Sequence, residues 1–108
     1  MTEPGGDRVT KITHRGLGPM LRLAVSEGYS FDLTFQEART LSRALRAVKD
    51  KQSSVDEIYL SPIASDGDFH AKVQQGGLLI EALSPPLTLS WSDVGVLAEA
   101  LAALAPEA

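Results

Sequence analysis

Cysteine is absent from the 108 residues. That excludes disulfides, thiol catalysis and thiolate-held zinc or iron–sulfur centres. Aromatic side chains are scarce, at 6%, which leaves few rings for stacking on bases. No run of about 18 apolar residues occurs, so no membrane span is expected. The opening MTEPGGDR has no apolar core of a secretory leader, and a cytoplasmic location is the default expectation. Catalytic and metal-binding signatures are also missing. His14 and His70 stand far apart and neither belongs to an HxH or HExxH pattern, so each reads as a surface histidine. No GxSxG elbow is present, and no GK[ST] follows Gly16-Leu17-Gly18-Pro19. Asp66-Gly67-Asp68 lacks the further oxygen ligands of a calcium loop and reads as a turn. The expectation is a non-enzyme that carries no metal and no cofactor.

What is present fits one soluble domain: 44% hydrophobic and 22% charged residues in a length that buries a real core. Residues 1–7, with Pro4-Gly5-Gly6, read as a flexible terminus, and residues 8–105 as the domain. Arg8 to Arg15 is rich in β-branched residues. Leu21, Leu23 and Val25 alternate with Arg22, Ala24 and Ser26, and Phe31 and Leu33 alternate with Asp32 and Thr34. Three strands are expected there, with a turn at Glu27-Gly28. The period then changes. Ala38, Leu41, Leu45 and Val48 share one helix face, and Thr34 with Glu37 has capping-box spacing.

After a linker at 51–54 the scheme recurs. Strands are expected at 55–63, with Pro62 as an interruption, then at 69–73, 78–82 and 87–90. Gly76-Gly77 marks a hairpin and Ser84-Pro85-Pro86 a turn. A second helix starts at Trp91, capped by Ser90 with Asp93, and carries Val94, Leu97, Leu101 and Leu104 on one face. Shifting the chain by 56 overlays Leu33-Thr34-Phe35 on Leu89-Ser90-Trp91, Glu37 on Asp93, and Leu41, Ala44 and Leu45 on Leu97, Ala100 and Leu101. Upstream the shift is 57, matching Leu21, Leu23 and Val25 to Leu78, Ile80 and Ala82. The expected fold is α+β: two tandem ββ(β)α repeats, 8–51 and 55–105, forming a mostly antiparallel sheet with two helices packed on one face, or packed as a pseudo-twofold pair.

Charge separates the halves. Residues 1–51 carry nine bases and six acids, a net +3; residues 52–108 carry one base and eight acids, a net −7. Arg39, Arg43 and Arg46 form a stripe on the first helix, and Arg8, Lys11, Arg15 and Arg22 come from the first two strands. With Lys72 these are the candidate phosphate-binding residues, against the plainer reading of solvated surface. Tyr29, Phe31 and Phe69 could stack bases if outward, but their alternation favours the core. The second helix is apolar nearly all round. An isologous contact with a second copy through Val96, Ala100 and Ala103 would cover it and make a homodimer; the plainer reading is alanine chosen for helix propensity.

The junction strand–ΦTΦ–x–E–x–x–x–L–x–x–x–L, carried by Phe31 to Leu45 and Leu87 to Leu101, resembles the PUR repeat and, more loosely, Whirly-type single-strand binders. That resemblance implies a pseudodimer of sheets and helices that binds single-stranded DNA or RNA on the sheet. The chain departs from the pattern in its second half, where the outward strand positions offer only Lys72 and His70. The functional expectation is a non-catalytic binding module taking single-stranded nucleic acid through its basic first half. The alternative is a protein–protein interaction or assembly domain without a nucleic-acid role.

Overall fold

The computed structural model describes residues 8–26, 29–65, 67–83 and 85–105. The expected loose terminus at 1–7, the Glu27-Gly28 turn, Asp66 and Ser84 lie outside the described residues. The chain is α+β. It runs β1 (Val9–His14), β2 (Gly18–Ser26), β3 (Tyr29–Leu33), α1 (Phe35–Lys49), β4 (Glu57–Leu60), β5 (Phe69–Gln74), β6 (Gly77–Ile80), β7 (Leu87–Ser90) and α2 (Trp91–Leu104). Every ladder is antiparallel. The expected single sheet is instead two, β1-β2-β3 and β4-β5-β6-β7. Each half thus pairs its own strands through short local connections, and the halves are joined by packing rather than by a shared ladder.

Both helices begin as the sequence implies. Thr34 and Ser90 sit at the N-caps with nearly the same backbone, φ −65°, ψ 161° and φ −63°, ψ 161°. Thr34 Oγ1 accepts from the Glu37 amide at 3.0 Å, and Ser90 Oγ from the Asp93 amide at 3.1 Å. Glu37 closes the box by accepting from the Thr34 amide at 2.9 Å, and its other oxygen accepts from the Ile63 amide at 3.1 Å. One carboxylate therefore satisfies a helix-end donor and ties α1 to the β4–β5 loop.

The core is the apolar face of each strand and helix in register. Leu21 pairs with Leu33 and Leu78 with Leu89, and all four are essentially inaccessible. Ala38, Leu41, Ser42 and Leu45 are buried on α1; Val94, Leu97, Ala98 and Leu101, each 56 positions later, are buried on α2. The match weakens elsewhere. Val25 is buried while Ala82, beyond the end of β6, is exposed. The first sheet has three strands and the second four.

The helices pack on each other, and α2 also lies against β1, β6 and β7. Much of the cover that an all-apolar helix demands is therefore supplied within the chain. Of the three residues expected to meet a second copy, Val96 and Ala100 are half-buried, with Ala100 against the core, and Ala103 is exposed. At the helix crossing the Ser42 hydroxyl donates to the Ala98 carbonyl at 2.8 Å. Ser42 is buried within the core, and this bond satisfies its hydroxyl.

Two substitutions test this account. Gly77 has φ +149°, and a Cβ there would lie 1.9 Å from the Leu89 carbonyl oxygen. Gly77→Ala is expected to lower unfolding free energy by roughly 2–4 kcal/mol in urea denaturation. Ser42→Ala removes one buried bond and is expected to cost about 1 kcal/mol in the same assay.

Candidate anion-binding surface

Burying Ala38, Leu41, Leu45 and Val48 dictates which side chains of α1 turn away from the core. At 100° per residue, Arg39, Arg43 and Arg46 form a stripe on the side away from the buried face, one turn apart, with Arg43 opposite that face and Arg46 nearest to it. In the structure the stripe borders the groove between α1 and α2. Arg39, Arg43 and Arg46 line a cleft of about 310 Å³ whose floor is Ser42 and whose opposite wall is Ala102 and Ala105. Arg46 also belongs to the next cleft, of about 250 Å³, with Lys49, Asp50, Gly95 and Glu99. Lys49 reaches across because α2 has no side chain at Gly95: a Cβ there would approach Lys49 Cε to 2.8 Å. Lys49 in turn lines a third cavity with Lys51 and Trp91. The result is a basic row running the length of α1 and ending where the helix ends.

No carboxylate lies within ion-pair distance of Arg43, Arg46, Lys49 or Lys51 among the described residues. The other candidates are placed differently. Arg22 is directly opposite Asp32 on the outer face of the first sheet and is bonded to it at 2.8 Å, which holds its guanidinium still more firmly protonated. Lys72, on the outer face of the second sheet, is paired with Glu81 at 2.7 Å. That bond raises Lys72 and lowers Glu81 from their ordinary values. Arg8 is half-buried; its Nε donates to the Val25 carbonyl at 3.2 Å, and its Nη1 is buried with no partner among the described residues. Lys11 on β1 and Arg15 in the β1–β2 turn are exposed. The eight residues singled out in the sequence therefore do not form one surface. The arginines of α1 come together, while Arg22 and Lys72 are each tied to an acid on a different sheet.

The aromatic residues considered for stacking are inward. Phe31 and Phe69 are buried, and Tyr29 stands 4.9 Å from Phe31 in an edge-to-face contact. Tyr29 also accepts from the His70 amide and donates to the Asp68 carbonyl, 3.2 Å each. The outer face of the second sheet is acidic. Glu57 bonds His70 at 3.1 Å, and the exposed Tyr59 donates to Asp68 at 2.5 Å. That hydrogen bond, helped by Ser61, pulls the Asp68 carboxyl below its ordinary value. His14 accepts from the amides of Gly16 and Leu17 through Nδ1 and so shapes the β1–β2 turn. Among the described residues no cluster of three or more His, Asp and Glu side chains is placed to hold a metal.

Lys51 and Trp91 were not selected by sequence reasoning. Lys51 has φ +59°. The amides of Gln52 and Lys51 bond the carbonyls of Ala47 and Val48 at 2.8 and 3.3 Å, a Schellman closure with lysine at the left-handed position that glycine usually takes. The lone signal in the sequence was the absence of any glycine where the helix stops. Comparison with known proteins finds no matching family model, curated sequence or solved structure, so the functional reading rests on this geometry.

Two expectations follow. Lys51→Gly relieves the left-handed backbone and is expected to raise unfolding free energy by about 0.5–1 kcal/mol. Tyr59→Phe removes the donor to Asp68. Because a lowered carboxyl contributes stability above its ordinary titration range and loses it as pH falls, the variant's Asp68 is expected to titrate at higher pH, read by NMR of its side-chain carboxyl.

Proposed function

We propose that the protein is a non-catalytic binding module for single-stranded nucleic acid, held by its phosphates along the basic row of α1. The observation that carries this reading is the alignment of Arg43, Arg46, Lys49 and Lys51, without acidic partners among the described residues, beside Arg39 in connected clefts. Guanidinium groups spaced by helical turns suit phosphate oxygens. From Arg39 to Lys49 the row is about 15 Å long at 1.5 Å per residue, or about four stacked nucleotides at 3.4 Å each. That is the lower end of single-strand site sizes. The acids around the second sheet, Glu57 on β4, Asp68 just before β5 and Glu81 just after β6, disfavour a polyanion there and leave α1 as the favoured approach. The proposed ligand therefore lies on a helix rather than on the sheet, where the PUR resemblance would put it.

A second reading is favoured by one observation. The wall facing the arginines is apolar, Ala102 and Ala105, which suits an acidic protein segment with small apolar side chains. Exposed Ala102 and Ala103 would extend the same contact.

Fluorescence anisotropy of a labelled dT20 at increasing salt separates the two. The nucleic-acid reading expects binding at about 50 mM salt and a log–log slope of about −2 to −3, for three to four phosphate contacts. Arg43→Ala and Arg46→Ala should each reduce the slope by about 0.7, and Arg22→Ala should leave it unchanged. Absence of dT20 binding at 50 mM salt overturns this reading in favour of the protein partner.

A further inference from the structure

We infer that the cavity at the end of the basic row receives one unstacked base of the bound strand. The inference rests on the reading that α1 binds a single-stranded backbone, and it adds a specific contact to it. The cavity, about 330 Å³, lies between the C-terminal end of α1 and the β5–β6 turn. Its volume sits at the small end of ligand pockets, the scale of one planar ring rather than a larger molecule. Its apolar surfaces are Trp91, Val48 and Val73. Val48 is buried, and the other two are half-buried against the core. The indole is held in place: its Nε1 donates to the Gln75 carbonyl at 2.9 Å. A ring fixed in this way offers a face for stacking without having to be ordered on binding.

Charge complementarity identifies the occupant. Lys49 and Lys51 are exposed, line the same cavity and continue the arginine row. An apolar planar group that enters here therefore carries a negative group beside it. A base with its own phosphate meets both requirements, and its neighbours in the strand lie along α1. Lys51 occupies a left-handed backbone position that glycine would take without strain. A charge at the cavity mouth is what the lysine adds there.

Trp91 is the single tryptophan of the chain, so its emission reports on the cavity directly. The test titrates the wild-type protein at about 50 mM salt with dT12 and with an abasic 12-mer of the same phosphate spacing. Anisotropy of end-labelled strands is followed in parallel. dT12 is expected to quench Trp91, and the abasic strand to bind about tenfold more weakly and leave the emission unchanged. Trp91→Leu is expected to bring dT12 down to the affinity of the abasic strand without altering the latter. Should that variant fail to fold, the wild-type comparison decides alone. Equal affinities, or dT12 saturating the protein without moving the emission, overturn the base cavity and leave the basic row standing. Failure of both strands to bind overturns the cavity and the row together.

Discussion

The contact between α1 and α2 organises the molecule. Leu41 and Leu45 on one helix and Leu97 and Leu101 on the other are buried at essentially zero exposure, and truncating such a residue costs roughly 2–5 kcal/mol. The helices run antiparallel. Arg39 shares a cleft with Ala102, Ser42 meets Ala98, and Lys49 crosses Gly95. With the sheets paired only within each half, this crossing is the main seam between the halves. It also fixes the phase of α1, and the phase determines where the arginines emerge.

The same crossing bears on whether the halves are equivalent units. Ser42 and Ala98 are 56 positions apart, the offset at which the two halves align, and they touch each other. In an isologous pair, equivalent residues meet at the axis, and a contact of one residue with another is mirrored by its counterparts. Arg39 and Ala102 line one cleft and Arg46 and Gly95 line the next, and these positions correspond at that offset. The caps at Thr34 and Ser90, and the pairs Leu21–Leu33 and Leu78–Leu89, also fall at corresponding positions. The additional strand β4 and the early end of β6 mark where the halves differ.

Local elements were readable because their causes are local. Caps at Thr34 and Ser90, alternation in β2 and the leucine periodicity of both helices placed nearly every element within a few residues. Where the strands divide into two sheets was not readable, because strand pairing across the halves is a long-range choice that alternation does not encode. The fate of the basic residues had the same limit. Arg22 and Lys72 look available in the sequence, yet register sets one opposite Asp32 and the other near Glu81. Arg39, Arg43 and Arg46 were legible as a stripe, but the clefts they line needed the position of α2. Trp91 was visible as the counterpart of Phe35, not as the wall of a cavity. Its partners there, Val48, Lys51, Val73 and Gln75, come from both halves, and folding alone brings them together.

The proposed recognition surface is therefore the side of α1 that borders the interhelical seam, not the outer faces of the sheets. Amide chemical-shift mapping of the labelled protein with an unlabelled single-stranded oligonucleotide tests this most directly. The predicted result is a continuous set of shifted amides from Arg39 to Lys51 and at Trp91, with Thr10, Arg22, Tyr59 and His70 unmoved. Shifts concentrated on those outer strand positions, with α1 silent, would contradict it.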